Sequence, residues 1–138
     1  MDIFLSINNR EQVIQLPIIP EDFQVEFSNN NETFATISQG DLNLIGNQGL
    51  KSIIIETFFP NKEYPYAKSK EFTGDEFVEL MFQWIERKVP IRVVITNNNG
   101  KEVVNLPVTI DSFNQGYDRT GDIGYFLGLR QFRFVRVN

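Results

Sequence analysis

The sequence predicts a mainly β protein, an antiparallel β-barrel or sandwich of about nine or ten strands with one amphipathic α-helix at about residues 73–88. Three observations lead to this fold class. Short runs of alternating or β-branched apolar residues recur along the chain, and turns rich in Asn, Gly and Pro separate them. Only one stretch repeats its apolar residues at helical spacing. Successive strands joined by hairpin turns pair with each other, which favours an antiparallel sheet.

The predicted helix lies within Thr73–Pro90. Its main apolar stripe consists of Phe77, Leu80, Met81, Trp84 and Ile85, and its second flank of Val78 and Phe82. Thr73 and Glu76 have the spacing of a capping box, which satisfies amide groups left open at the first turn. Pro90 ends the helix, because proline disfavours helical geometry in the residue before it. We expect the main stripe to cover the β core, and an exposed second flank would mark where a neighbouring subunit docks.

Six strands are predicted before the helix. They are Ile3–Ile7, Gln12–Leu16, Asp22–Phe27, Thr33–Ile37, Leu42–Ile45 and Leu50–Phe59. The first two form a hairpin around Asn8–Glu11, and the next two form a second hairpin around Ser28–Asn31. Between the hairpins, Leu16–Pro20 is predicted as an extended linker because of its prolines. Both faces of the sixth strand are apolar, so we expect it to be buried on two sides.

A long loop, Pro60–Phe72, joins the sixth strand to the helix and carries two prolines and two tyrosines. Loops of this length without regular structure are uncommon in compact domains. We therefore expect the loop to be functional, as an arm that reaches a neighbouring subunit.

Two strands, Ile91–Thr96 and Glu102–Ile110, follow the helix and flank an Asn-Gly hairpin signal. Pro107 assigns the second of them to an edge or a bulge, because proline cannot donate to the ladder. Ser112–Gly124 is predicted as a polar loop and Tyr125–Val137 as the final strand.

The composition excludes most enzyme classes. The chain has no cysteine and no histidine, which removes disulfides, thiolate nucleophiles, Cys-ligated zinc and every catalytic triad that needs histidine. A net charge of −5 argues against a protein that holds nucleic acid by its phosphates. No run of about 18 apolar residues predicts a membrane span.

Three constellations were candidates for chemistry. Asp118–Asp122 superficially resembles a calcium loop, but it lacks the alternating ligands of an EF-hand and is predicted as a surface turn. Glu56 lacks an identifiable catalytic partner, so we interpret it as an edge or interface charge. A single-strand nucleic-acid platform would need Arg130, Arg133, Arg136, Phe126, Phe132 and Phe134 on one face, and strand alternation puts Arg133 on the other. No catalytic, cofactor-binding or metal-ligating residue is predicted.

Several segments, in chain order, resemble one family. They are Leu16–Pro20, Gly46–Lys51, Phe58–Pro60, Pro90–Thr96, Pro107–Ile110 and Gly121–Leu129. With the Trp-containing helix, they are similar to the N-terminal domain of the LysM-bearing tail proteins of contractile phages and PBSX-like defective prophages of Gram-positive bacteria. The similarity covers almost all of the chain. The LysM domain expected in that family is absent from this sequence, so its peptidoglycan or sheath contacts are not carried over.

The resemblance implies that residues 1–138 form a single tail-tube-like β-barrel domain. It also implies a ring-forming structural protein, homo-hexameric as in contractile injection systems, that joins the baseplate hub to the tail tube. Its partners would then be other copies of itself, the tail tube, the hub and other baseplate proteins, with DNA only passing through an acidic lumen. We expect it in a virion or phage-tail-like particle assembled in the bacterial cytoplasm, with no enzymatic activity, cofactor or membrane contact.

Two other functions stay open. A ligand- or carbohydrate-binding β-sandwich module would need an exposed aromatic platform, for which Tyr64, Tyr66 and Tyr117 are the candidates. A glycosidase that uses Asp and Glu alone would need two carboxylates about 5–9 Å apart in a cleft.

Overall fold

The computed structural model describes residues 1–134, and this part of the chain holds nine strands and one α-helix. The elements are β1 (Asp2–Ile7), β2 (Gln12–Gln15), β3 (Val25–Glu26), β4 (Glu32–Thr36), β5 (Gly40–Leu44), β6 (Ser52–Phe59), α1 (Gly74–Arg87), β7 (Ile91–Thr96), β8 (Glu102–Tyr117) and β9 (Ile123–Gln131). All strand pairs are antiparallel. The predicted fold class is therefore confirmed.

Seven strands form one sheet in the order β2-β1-β7-β8-β9-β6-β3, and β4 and β5 form a separate two-stranded sheet. The two halves of the long strand β8 pair with different neighbours. Its residues 102–108 pair with β7, its residues 108–117 pair with β9, and a register shift lies between Ile110 and Ser112. Within residues 1–134 no ladder joins β2 to β3, so the sheet is open and, of barrel and sandwich, the sandwich fits.

One hydrophobic core is formed by two halves of this sheet, β2-β1-β7 and β9-β6, together with the helix. Each half contributes alternate residues of its strands, Ile3, Leu5, Val93 and Ile95 from one side and Ile53, Ile55, Phe59, Leu127 and Leu129 from the other. The extended segment Leu16–Pro20 also packs inward, with Leu16 and Ile18 buried.

Helix α1 begins and ends where the sequence predicts. Thr73 is its N-cap, the reciprocal bonds between Thr73 and Glu76 form a capping box, and Lys88 ends it in the left-handed conformation. The buried stripe is slightly rotated from the expected one. Val78 is buried, whereas Ile85 is partly exposed. No helix in residues 1–134 is long and apolar enough to cross a membrane.

The predicted second hairpin is wrong. Thr33–Ile37 does not return onto Asp22–Phe27, because β4 pairs with β5 and β3 pairs with Ser52 and Ile53 of β6. Strand β3 is only two residues long, and Val25 and Phe27 are exposed rather than half-buried.

Two boundaries in the last third of the chain also differ. Ser112–Tyr117, predicted as part of a polar loop, continues β8, because pairing with β9 overrides its weak strand propensity. The final strand ends at Gln131 instead of continuing through Phe134. The predicted continuation to Val137, with Arg136, lies outside the described residues.

Candidate functional site

The most distinctive feature is a two-stranded projection, residues 27–50, which we call the ribbon arm. Above its base, the amide of Gly49 donates to Ser28 O (2.9 Å) and that of Asn30 to Asn47 O (2.8 Å), and β4 and β5 continue the pairing to the tip. The two sides lie so close that a Cβ on Gly46 would stand 1.6 Å from the Asn30 carbonyl oxygen. Glycine is therefore required there.

The ribbon arm exposes apolar side chains. Phe34 is 55% exposed, Ile45 is 86% exposed, Ile37 is fully exposed and Leu44 is about half exposed. A two-stranded ribbon is marginally stable without packing on a third element. Its charged residues are Glu32 and Asp41, with no lysine or arginine. The arm thus presents an apolar, weakly acidic surface that its own chain does not cover.

A second uncovered surface lies on β6. Ile53 and Ile55 face the core, but Ile54 is 42% exposed and Glu56 is exposed, so the expected burial on both sides is wrong for the isolated chain. Strand β3 covers the outer edge of β6 only at Ser52 and Ile53. Glu56 stands in a cleft of about 360 Å³ lined by Glu21, Asp22, Phe23, Gln24, Glu26 and Ile54, which we call the acidic cleft.

The second flank of α1 is only half exposed. Val78 is buried, and Phe82 is 44% exposed with its ring edge against Phe113 at a centroid distance of 5.5 Å. The flank therefore offers one exposed aromatic ring rather than the two-residue docking surface that was expected.

The long loop 60–72 is anchored to its own chain. The Tyr64 hydroxyl donates to Asp122 Oδ2, Lys68 N donates to Pro17 O (2.7 Å), and Asn61 Nδ2 donates to Gly121 O (2.7 Å). Asn61 Oδ1 also accepts from Gly74 N (2.7 Å) at the start of α1. These contacts are intramolecular, so the loop does not have the form of a free arm.

The acceptor of the Tyr64 bond, Asp122, belongs to the β8–β9 turn that was the candidate calcium loop. Its carboxylate is buried and also accepts from Asn61 N (3.0 Å). Asp118 accepts from the amide and hydroxyl of Thr120, which holds its pKa below the usual range. In residues 1–134 no group of three or more acidic side chains is arranged to hold a metal ion.

The bond to Asp122, together with partial burial, raises the pKa of Tyr64 to about 12.

The three tyrosines of the candidate carbohydrate-binding platform differ in orientation and in exposure. Tyr64 and Tyr66 are tilted at 48°, and the hydroxyl of Tyr64 is engaged by Asp122. Tyr66 and Tyr117 are exposed.

The arginines of the candidate nucleic-acid platform contact their own chain. Arg130 Nε lies 3.0 Å from Asp111 Oδ2, and Arg133 donates to the carbonyl oxygens of Gln48 and Gly49. Arg133 thereby fixes the base of the ribbon arm, while Arg136 lies outside the described residues.

Sequence reasoning missed the ribbon arm, whose strands expose several large apolar side chains. A signal for it was present. Two β-rich runs meet across a tight turn at Thr36–Gly40, where Thr36 Oγ1 donates to Gly40 O (2.7 Å) and Gly40 has φ +73°. Short loops that end in glycine are typical of hairpins.

No model of a known protein family matches this chain. The chain is 28% identical over 130 residues to the uncharacterized protein YqbP of Bacillus subtilis (strain 168). The match covers 92% of this chain and 58% of YqbP, so the chain spans less than two thirds of that relative's length.

Solved structures with a similar fold come from tail-like assemblies. A chain in the C6-symmetric tail of an empty gene transfer agent particle has a TM-score of 0.61 at 17% identity, covering 100% of this chain and 95% of that one. The sheath/tube terminator of the PVC extracellular contractile injection system has a TM-score of 0.51 at 15% identity (95% and 89% covered). A chain of the anti-feeding prophage baseplate has 0.51 at 12% identity (96% and 88%). At these identities the likeness shows the fold.

Proposed function

We propose that this chain is a structural, ring-forming subunit of a contractile phage tail or phage-tail-like particle, and that it joins the baseplate hub to the tail tube. A fold shared with components of a tail, a tube terminator and a baseplate supports a structural role in such a particle. The segments that resemble LysM-bearing, PBSX-like prophage tail proteins support the hub-to-tube position. Residues 1–138 form one tail-tube-like domain in this proposal.

The ribbon arm is the observation that carries the proposal. An apolar ribbon without a third element to pack on is stabilised by burial against another surface, and a second copy supplies that surface in a ring. The uncovered edge of β6 beyond Ile53 supports the same reading, because unpaired strand edges are closed when neighbouring subunits pair with them.

We take six as the number of subunits because the similar gene transfer agent tail has C6 symmetry. The tail tube, the hub and other baseplate proteins are the remaining partners. A net charge of −5 repels DNA phosphates, so DNA passes through the lumen without adhering. In this proposal the protein resides in the particle after assembly in the bacterial cytoplasm, and it performs no catalysis.

Light scattering after size exclusion, followed by electron microscopy, tests the proposal. We expect rings at high protein concentration, and their loss when Phe34, Ile37 and Ile45 of the arm are replaced by serine. The control is Val103→Ser, since Val103 is about as exposed as Phe34 (52% and 55%) but lies on β8. A wild-type chain that stays monomeric contradicts the ring. Rings that persist in the arm variant contradict the role of the arm.

A further inference from the structure

Two oppositely charged surfaces lie toward opposite ends of the strand order. A cleft of about 470 Å³ lies between the β1–β2 turn and the start of β7, and we call it the basic cleft. Its charged residues are Arg10 and Arg92, its lining contains no acidic side chain, and its apolar walls include Val89, Pro90 and Phe134. The acidic cleft stands at the β3–β6 end of the sheet, with four carboxylates and no basic side chain in its lining.

These charges lack ion partners within the described chain. The three ion pairs there are Lys68–Asp2, Arg87–Glu11 and Arg130–Asp111, and none uses a charged residue of either cleft. Arg92 donates to Asn105 Oδ1 (2.7 Å), and Asn105 in turn donates to Glu102, so the contact of Arg92 with that carboxylate runs through a neutral amide.

The turn that forms one wall of the basic cleft is conformationally costly. Asn8, Asn9 and Arg10 are three consecutive residues with positive φ (49°, 58° and 66°). Asparagine adopts this region readily, whereas arginine does so rarely. The fold therefore holds Arg10, exposed and without an ion partner in residues 1–134, in a strained position at the rim of the cleft, and such outliers concentrate at functional sites.

We propose that the basic cleft is the docking site for the acidic cleft of a second copy of this chain. This inference rests on the proposed ring and names the surfaces that join its subunits. Because the two surfaces differ, the contact is heterologous, the type that closes into a ring when the rotation between subunits allows it. Each surface places apolar groups beside charged ones, with Ile54 on the acidic side and Val89 and Pro90 on the basic side, as interfaces do.

Charge reversal tests the contact. Arg10→Glu with Arg92→Glu should weaken ring assembly at least about tenfold at low salt, because like charges then face each other. Adding Glu21→Lys and Asp22→Lys to that variant should restore assembly. The control, Lys70→Glu with Lys101→Glu, makes the same change in net charge at exposed sites outside both clefts and should assemble like wild type.

Crosslinking gives a readout that tolerates a loss of stability in the reversed variant. The chain has no cysteine, so single cysteines can be placed at Val89 in the basic cleft and Gln24 in the acidic cleft without removing a charge. With a short bis-maleimide, a mixture of Val89→Cys and Gln24→Cys chains should form covalent dimers, and neither variant alone should. The control mixture replaces Val89→Cys by Lys101→Cys.

The outcomes separate this contact from the ring itself. A wild-type chain that never assembles overturns the ring and the contact together. Rings that form in wild type, survive the arginine reversal and give no mixed crosslink overturn the contact alone. Crosslinking of each single variant with itself contradicts the head-to-tail arrangement.

Discussion

The loop 60–72 and the ribbon arm are both long excursions from the sheet, and they are stabilised in opposite ways. The loop has no regular secondary structure but is fixed by side-chain and backbone bonds to the β8–β9 turn, to Pro17 and to α1. The arm is regular β-ribbon, yet within residues 1–134 β4 and β5 pair only with each other, and the arm leaves its apolar residues exposed. Regular secondary structure therefore does not tell which of the two segments is fully stabilised by contacts within its own chain.

Asn61 shows how the irregular segment is completed. Its amide, its side-chain nitrogen and its side-chain oxygen bond to Asp122, Gly121 and Gly74, so one residue connects the loop, the turn and the helix. At the other end of the loop, Phe72 packs edge-on against Phe77 of the core at a centroid distance of 5.3 Å. The arm has a comparable tie at its base, where Arg133 donates to the carbonyl oxygens of Gln48 and Gly49.

The largest expected difference is in the free energy of unfolding after a Phe→Ala substitution, made once in the core that the loop packs on and once in the arm. Phe77→Ala should lower the free energy of unfolding by about 3–5 kcal/mol, because Phe77 is fully buried and stacks on Phe59 at 4.8 Å. Phe34→Ala in the arm should change it by no more than about 0.5 kcal/mol. Urea unfolding, at a concentration where the chain is monomeric, measures both. A large loss from Phe34→Ala would mean that the arm packs on its own chain in solution.

Sequence patterns predicted the elements whose stabilisation is local. The capping box of Thr73 and Glu76 and the hairpin turn at Gly100 depend on residues a few positions apart, and both occur as expected. The pairing of β3 with β6 joins residues far apart in sequence, and no local pattern ranks that pairing above a hairpin with Thr33–Ile37. The prediction of Ser112–Tyr117 as a loop was wrong for the same reason, since this part of β8 is a strand because it pairs with β9.

The candidate surfaces were less predictable than the fold. The apolar pattern of β6 does not tell whether Ile54 is covered by the same chain or left open, because alternation reports only which residues share a face. The sequence also did not indicate that Asp122 anchors the loop 60–72. Its partner Tyr64 is 58 residues away, and the turn around it looked like a surface loop.

A smaller effect should follow from removing the anchor of the loop. Asp122→Ala should cost about 2–3 kcal/mol, because it removes a buried carboxylate that accepts from the Tyr64 hydroxyl and the Asn61 amide. The control is Asp41→Ala in the arm, an exposed carboxylate for which we expect a change within about 0.5 kcal/mol. Thermal unfolding of both variants, with limited proteolysis at Lys62 and Lys68, provides the measurement. Equal effects at the two positions would remove the distinction between an anchored loop and a free arm.

The anchor should also respond to alkaline pH. Because the bond to Asp122 raises the pKa of Tyr64 from about 10 to about 12, the neutral hydroxyl is favoured in the folded chain. Its contribution to stability is therefore fully present below about pH 10 and is lost as pH rises through about 12. The difference in unfolding free energy between wild type and Tyr64→Phe, followed from pH 9 to pH 12, should be constant at first and then shrink. A difference that grows over this range would reverse the sign and contradict the bond.

The smallest expected effect concerns Tyr125, whose hydroxyl is buried without a hydrogen-bond partner in residues 1–134. Its ring stacks on Phe59 at 3.9 Å, and burial raises its pKa. Tyr125→Phe keeps the stacking and removes an unsatisfied polar atom, so it should be neutral or stabilising by up to about 1 kcal/mol. Tyr64→Phe, which removes a satisfied donor, should destabilise. Chemical denaturation of the two variants side by side checks whether the signs are opposite. A destabilising Tyr125→Phe would contradict the unsatisfied hydroxyl and place Tyr125 with Tyr64 among the residues whose hydroxyl stabilises the fold.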